Sequence, residues 1–301
     1  MTVLDVRVAT LNVGGGEKTF EEFPHDTQKS RQEALNLLVD HLEADILCLQ
    51  EVSRVVDAEG ISHSLMDALV KAGSYDHFYY GQTLSMVTHM QVKKDVMVKG
   101  IFNDWLDWSK GNAILSRIPF GRLSDPDRQG IPRNVPLFIP PTYEGTRDTD
   151  PRFALLTRLK RPPFPYLINL HLTTLVGERQ APSSRDKIEA AHNLRSEQIS
   201  RLLDLVSEHI LKVNAPLILA GDFNATREEF GIAKLLESEH GFIHLTPDNA
   251  SPSYAGLTKP IDHIFFYPQE RLLDFSCQIE SGELSRRASD HLPVMASLSI
   301  K

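Results

Sequence analysis

The residues able to do chemistry in this chain stand where apolar runs stop. Residues 3–11 lead to Asn12, residues 46–49 lead to Gln50-Glu51, and residues 166–170 lead to His171. The run 216–220 leads to Gly221-Asp222-Phe223-Asn224. Asp262-His263 opens the run 264–267, and Ser289-Asp290-His291 precedes the closing run 294–300. Carboxylates and amides offer hard oxygen ligands to a cation such as Mg²⁺, which takes only one or two carboxylates and keeps several waters. Imidazoles beside them can touch a phosphoryl oxygen or carry a proton. The set therefore points to a divalent metal and a phosphate.

Each residue also has a plainer reading. A carboxylate such as Glu51 at the end of a buried strand costs free energy unless it is paired, but many simply mark where a strand emerges. Asp222 and Asn224, two apart on one rim, also fit an Asx turn that satisfies its own backbone. A lone His171 on an apolar strand is commonly a hydrogen-bonded core imidazole. Asp262 reads equally as a strand-start residue, and Asp290-His291 as a turn entry. Singly these signals are weak; together, each at a strand end, they favour one site.

The elements that must deliver these residues are strands and helices in alternation. Leu35, Leu38, Val39 and Leu42 share one face of an expected helix over 28–44, with Asp26 and Thr27 as candidate caps. Ile199, Leu203, Val206 and Ile210 share a face of a second, over 185–213. Short apolar runs at 4–11, 46–49, 113–115, 153–159, 166–172, 216–220, 264–267 and 294–300 read as strands. With no repeat and no linker, one domain over residues 1–301 is expected. Residues 81–110 and 121–152 read as long irregular connections, hence as candidate substrate-facing loops.

Composition narrows the class. Hydrophobic residues make up 41% of the chain, enough for a sizeable core, and 32 basic against 40 acidic residues give a net charge of −8. A broad basic surface for nucleic acid is not indicated, so a phosphate-bearing partner would be held locally. No run approaches the ~20 apolar residues that span a bilayer, the start lacks a secretory signal pattern, and the two cysteines do not suggest a disulfide framework. A soluble cytoplasmic protein without membrane insertion is expected, and no protein partner is indicated.

The motifs Ala9-Thr10-Leu11-Asn12, Leu49-Gln50-Glu51-Val52, Gly111-Asn112-Ala113-Ile114-Leu115-Ser116-Arg117 and Asn169-Leu170-His171-Leu172 are followed by Gly221-Asp222-Phe223-Asn224, Ile261-Asp262-His263-Ile264 and Ser289-Asp290-His291-Leu292-Pro293. In this order they resemble the endonuclease/exonuclease/phosphatase superfamily over nearly the whole chain. The resemblance implies an α/β fold, a four-layer α-β-β-α sandwich of two mostly antiparallel sheets flanked by helices. It implies Mg²⁺-dependent phosphodiesterase chemistry by in-line attack of water, with Mn²⁺ also acceptable to the site. Glu51 would be the principal metal ligand, with Asn12 beside it and Asp290 as a further metal or water contact. Asp222 would orient or deprotonate water, Asn224 would stabilise the developing charge, and Asp262 would orient His291 against the scissile phosphate. His171 would be a second phosphate-facing imidazole.

Substrate identity is left to the loops, because one catalytic core hosts many substrates. Nucleic acid or a nucleic-acid adduct is the leading expectation. A small phosphoester such as a phosphoinositide or sphingolipid headgroup is the first alternative, and a non-catalytic binding module the second. Asn112, Arg117 and Tyr254 are candidate substrate contacts. Trp105 and Trp108, with Lys93, Lys94, Lys99 and Lys110, would form a stacking and phosphate-binding edge unless they are ordinary core and solvated residues. Residues 173–179 either line the cleft or serve only as the entry to the second helix.

Overall fold

The computed structural model describes residues 2–56, 59, 61–86, 88, 107–179, 183–237, 241–249 and 251–301. Trp105, Lys93, Lys94 and Lys99 lie outside the described residues.

The apolar runs form strands because alternate side chains find two different buried surfaces. In β1 (Leu4–Asn12), Leu4, Val6 and Val8 enter one cluster, and Ala9 and Leu11 enter another. In β2 (Ile46–Val56) the same split separates Ile46 and Cys48 from Leu47 and Leu49. The first cluster also takes Leu155, Leu167, Ile218 and Ile264, so it is the seam between two sheets. The second is covered by Leu35, Leu38, Val39 and Leu42 of α1 (Gln28–Leu42).

The first sheet has the order β13-β14-β1-β2-β5-β4, with β3 paired to β2. Its other members are β3 (Ser62–Ser64), β4 (His77–Ser85), β5 (Ser109–Ser116), β13 (Leu272–Ile279) and β14 (Val294–Ile300). The second sheet runs β11-β12-β10-β9-β8-β6, with β7 paired to β8. It comprises β6 (Phe120–Gly121), β7 (Arg133–Phe138), β8 (Arg152–Leu159), β9 (Tyr166–His171), β10 (Leu217–Asp222), β11 (Ile243–His244) and β12 (Asp262–Tyr267). Among the described residues only β1–β2 and β9–β10 pair in parallel. Beyond α2 (Leu65–Ala72), the long α3 (Arg185–Val206) closes the fourth layer, setting Ile199, Leu202, Leu203 and Val206 on Ile168, Leu170, Leu219 and Phe265. The expected α-β-β-α sandwich is the observed one.

The helices are slightly shorter than their periodicity suggests. Thr27 caps α1 by accepting the Ser30 amide at 3.1 Å, and the helix stops at Leu42 because Glu43 turns left-handed at φ 47°. After Val206, α3 widens into a π-turn over Ser207–Leu211, which still delivers Ile210 to the core. Residues 121–152 are not wholly irregular. They contain β7, whose Pro136 is tolerated because the strand pairs on one side only. Likewise residues 81–85 complete β4, and 109–110 begin β5. No helix among the described residues is long and apolar enough to cross a membrane.

Candidate active site

Strand register gathers the polar residues. Asp222, the last residue of β10, stands opposite His171 of β9 on one side and Asp262 of β12 on the other. Asn12 ends β1, and Asp290-His291 enters β14 through a bridge to Tyr254. Gly221 makes the closeness possible. It has φ 152°, and a Cβ there would sit 2.1 Å from the Leu170 carbonyl oxygen.

Asp222 is the hub. Its Oδ1 accepts the Asn224 amide at 2.8 Å, which is the Asx turn, while Oδ2 faces the cleft. There Oδ2 accepts Asn12 Nδ2 at 2.9 Å and lies 3.5 Å from His171 Nε2 and 3.9 Å from His291 Nε2. The Asx turn is thus present and occupies one oxygen, while the other is left to Asn12 and the two imidazoles. Burial would raise its pKa, but His291, His171 and the Asn12 hydrogen bond together bring it below the usual value.

Behind His291 stands Asp262, with Nδ1 2.9 Å from its Oδ2. Burial opposes charge on this imidazole, yet the Asp262 and Asp222 carboxylates lift it to about 9, so it is a cation at neutral pH. Asp262 is raised, chiefly by burial and then by Asp222. Ser253 Oγ accepts the Ile261 and Asp262 amides, and Ser289 Oγ accepts the His291 amide at 3.1 Å, fixing both chain segments. His171 behaves oppositely. Burial and then the Arg152 guanidinium push it down to about 3, leaving a neutral ring.

Glu51 does not end its strand but sits in it, at φ 55°, where the β2–β5 register slips between Leu49 and Val52. The bulge re-aims the side chain into the cleft. Burial would raise its pKa, but Lys110 at 3.3 Å and Lys18 at 3.6 Å hold it well below the usual range. Asp290, raised by burial, has a buried Oδ1 without a hydrogen-bond partner. Geometrically, Asp222, Asp262 and His291 also offer ligand atoms within 4.8 Å of one another. His291 Nδ1, however, is already committed to Asp262, and a protonated imidazole cannot ligate. The unpartnered Asp290 Oδ1, near enough to Glu51 for the two carboxylates to repel, offers a second set of hard oxygens that could face a cation.

Three residues stand here that the motifs did not single out. Arg179 Nη2 donates to both O and Oδ1 of Asn224 at 2.8 Å, and its guanidinium lies over the Tyr254 ring at 5.5 Å. Its signal was its place within 173–179, the segment expected either to line the cleft or to enter the helix. It does both. Arg195 of α3, 1% exposed, is gripped by Glu178 and Glu229, while Glu178 accepts the Leu175 amide. Lys18 follows a glycine turn that sequence periodicity does not mark.

Of the expected substrate contacts, Tyr254 packs against His291 with ring centroids 4.6 Å apart and planes inclined at 53°. Asn112 is 2% exposed and donates to the Phe153 carbonyl of the opposite sheet at 3.2 Å, lining a narrow cavity with Glu51 and His171. Arg117 is a correction. It follows Ser116, which pairs with Ile46 at the far end of β2, whereas Gly111 pairs with Val52 near Glu51. Arg117 donates to the Gly73 carbonyl and packs over Tyr75, away from the cleft. Trp108 lines a groove with Gly15, Leu65 and Met86.

No curated protein matches the sequence. Among solved structures, an endonuclease/exonuclease/phosphatase from Beutenbergia cavernae DSM 12333 is similar with a TM-score of 0.64 at 21% identity, over 98% of this chain and 72% of that one. One from Bacteroides vulgatus gives 0.64 at 15% identity, over 99% and 100%. Truncated Caenorhabditis elegans TDP2 gives 0.60 at 16% identity, over 98% and 97%. At these identities the likeness is one of fold. The family model covers residues 9–291, nearly the whole chain, and the chain belongs to the Endonuclease/Exonuclease/phosphatase family.

Proposed function

We propose that the protein is a Mg²⁺-dependent phosphodiesterase acting on nucleic acid or a nucleic-acid adduct. Phosphoric ester hydrolysis is the family's general activity, and one observation carries the finer reading. Asp222 Oδ2 is an ionised oxygen shared by Asn12, His171 and a cationic His291 that Asp262 holds from behind. Such an oxygen can orient and deprotonate a water for in-line attack. His291 is already protonated, so it donates to a phosphoryl oxygen and is not the base.

Asn224 Nδ2 gives one hydrogen to the Leu172 carbonyl at 2.9 Å and keeps a second for the charge that develops on phosphorus. His171, neutral, adds a hydrogen bond without adding charge. Glu51, Asn12 and Asp290 would hold a divalent cation, which would supply further positive charge to the reaction. Mg²⁺ suits this oxygen set, and Mn²⁺ is accepted by the same ligands.

The test is hydrolysis of a labelled DNA hairpin with a single-stranded arm, beside a small chromogenic phosphodiester. Each is run with Mg²⁺, with chelator, and with Asp222→Ala. Cleavage of the hairpin that needs both metal and Asp222 supports the reading. Turnover of the small ester alone, insensitive to salt, moves the substrate to compact phosphoesters, since long nucleic acid loses affinity steeply with salt. Equal turnover by Asp222→Ala removes the mechanism.

A further inference from the structure

The turn that carries Asp222 and Asn224 is held at its exit by histidines that the proposed reaction does not use. Asn224 stands at φ 52°, a left-handed conformation that a residue with a side chain keeps only where its surroundings hold it. Its amide donates to Asp222 Oδ1, and Phe223 N donates to the Ile261 carbonyl at 3.0 Å. One residue on, the Ala225 carbonyl lies 2.8 Å from Nε2 of His263, which is 2% exposed and meets the Phe223 ring edge-on. His263 Nδ1 lies 3.1 Å from His244 Nε2, and His244 Nδ1 lies 2.9 Å from the Thr246 hydroxyl.

These contacts have one consistent direction. A carbonyl only accepts, so the hydrogen between His263 and Ala225 is on Nε2. A neutral imidazole has one donor and one acceptor. Burial favours that form in both rings, pushing His263 down to about 4 and His244 to about 3. His263 Nδ1 therefore accepts, His244 Nε2 donates to it, and His244 Nδ1 accepts the Thr246 hydroxyl. Arg227 Nη1 completes the row by donating to Thr246 Oγ1 at 3.3 Å. The row thus runs from the exposed Thr246 to the buried Ala225.

We propose that His263 and His244 are positioning residues for the reaction, a directed hydrogen-bond row that fixes the Ala225 carbonyl and with it the orientation of Asn224. The inference rests on the phosphodiesterase reading, in which the Asn224 amide meets the charge developing on phosphorus. With the Ala225 carbonyl held by His263 and Asn224 Oδ1 held by Arg179, backbone and side chain of the turn are both fixed. A loosened turn acts on the chemical step more than on binding, since a misplacement of about 1 Å costs roughly 10²-fold in rate.

The experiment begins with nitrogen NMR of the histidine rings in the metal-free full chain at neutral pH. Both rings should be neutral with the hydrogen on Nε2. A hydrogen on Nδ1 of either ring, or a charged ring, overturns the row. His263→Phe keeps a ring against Phe223 but has no donor, so the side-chain amide signals of Asn224 should shift or broaden. Unmoved signals overturn the positioning role. Kinetics follow on the DNA hairpin or the small chromogenic phosphodiester, whichever the parent cleaves. His263→Phe should lower kcat by about tenfold or more while KM stays within about twofold. His263→Gln, whose amide can donate to the same carbonyl, should regain part of the rate. His244 is half-buried, so His244→Phe is the milder variant; it should lower kcat by a smaller factor, and His244→Gln should restore part of that. Unchanged kcat in both phenylalanine variants, or equal falls in the phenylalanine and glutamine variants, overturns the proposal. The ring measurement needs no turnover, so a failed row and a failed hydrolase reading give different results.

Discussion

Gln50 and Asn169 meet in the seam between the two sheets, with Gln50 Nε2 donating to Asn169 Oδ1 at 2.7 Å. Asn169 in turn donates to the carbonyls of Leu49 and Ala113, both at 2.9 Å, at the place where β2 bulges away from β5. The bulge that aims Glu51 therefore leaves strand carbonyls unpaired, and an amide from the opposite sheet satisfies them. Asn169→Leu strands these groups in an apolar seam. It should cost on the order of 2–4 kcal/mol in denaturant unfolding. A loss below that range would mean that the carbonyls find other donors.

The His291–Asp262 pair makes stability depend on pH in a definite direction. The imidazole is raised from 6.5 to about 9, so its contribution is complete below 6.5 and lost as pH climbs through about 9. Asp262→Asn removes the main attraction and should return the imidazole towards its ordinary range. Following the His291 ring by NMR in metal-free protein checks this. A parent ring that titrates near 6.5 would contradict the charge assigned to it. Activity should fall over the same alkaline window.

Three other histidines work the opposite way. Burial pushes His171 and His244 down to about 3 and His263 to about 4. His263 Nε2 lies 2.8 Å from the Ala225 carbonyl, and its Nδ1 lies 3.1 Å from His244 Nε2. Since the unfolded chain takes these protons first, their contribution is full above 6.5 and fades as pH falls towards 3–4. Unfolding midpoints should drop across that acid range. His244→Gln should flatten the slope, and a parent with no acid slope would refute the neutral, buried assignment.

How much of this was legible in the sequence follows from where each signal is written. His171, Asp222, Asp262 and His291 could be found because β9, β10 and β12 are buried on both faces, so their apolar runs are continuous and stop at the rim. Strands such as β13 were hidden because an edge strand with one exposed face carries no apolar run. Arg117 was misjudged for a related reason: a motif marks a strand but not which of its ends meets the cleft. Arg179 and Arg195 depend on contacts from 173–179 to α3 and to Asn224, which spacing along the chain does not encode.

Arg195 holds that loop with charge. Its guanidinium makes contacts of 2.7–3.1 Å to Glu178 and Glu229 while 1% exposed. Arg195→Met leaves two buried carboxylates without their shared cation: Glu178 keeps the Thr174 hydroxyl and Leu175 amide, and Glu229 keeps His192. The expected loss is about 3–5 kcal/mol. Replacing Glu178 and Glu229 by Gln in the same chain should recover part of it, and failure to do so would show that packing, not charge, fixes the loop.

Arg179 is the loop's delivery to the cleft. Its Nη2 donates to Asn224 Oδ1, which leaves the amide nitrogen of Asn224 facing Leu172 O, with its second hydrogen for the phosphate in the mechanism we propose. Without that donor the amide can turn its oxygen towards the substrate, placing a lone pair where a hydrogen is needed. Arg179→Met should therefore lower kcat by on the order of 10²-fold, comparable to the loss of one oxyanion donor, with little change in melting temperature. KM should rise less than kcat falls, because the contact matters most as charge develops. Arg179→Lys, which keeps one donor within reach, should regain part of the rate. A variant that lost KM alone would make Arg179 a binding residue and leave Asn224 without its orienting partner.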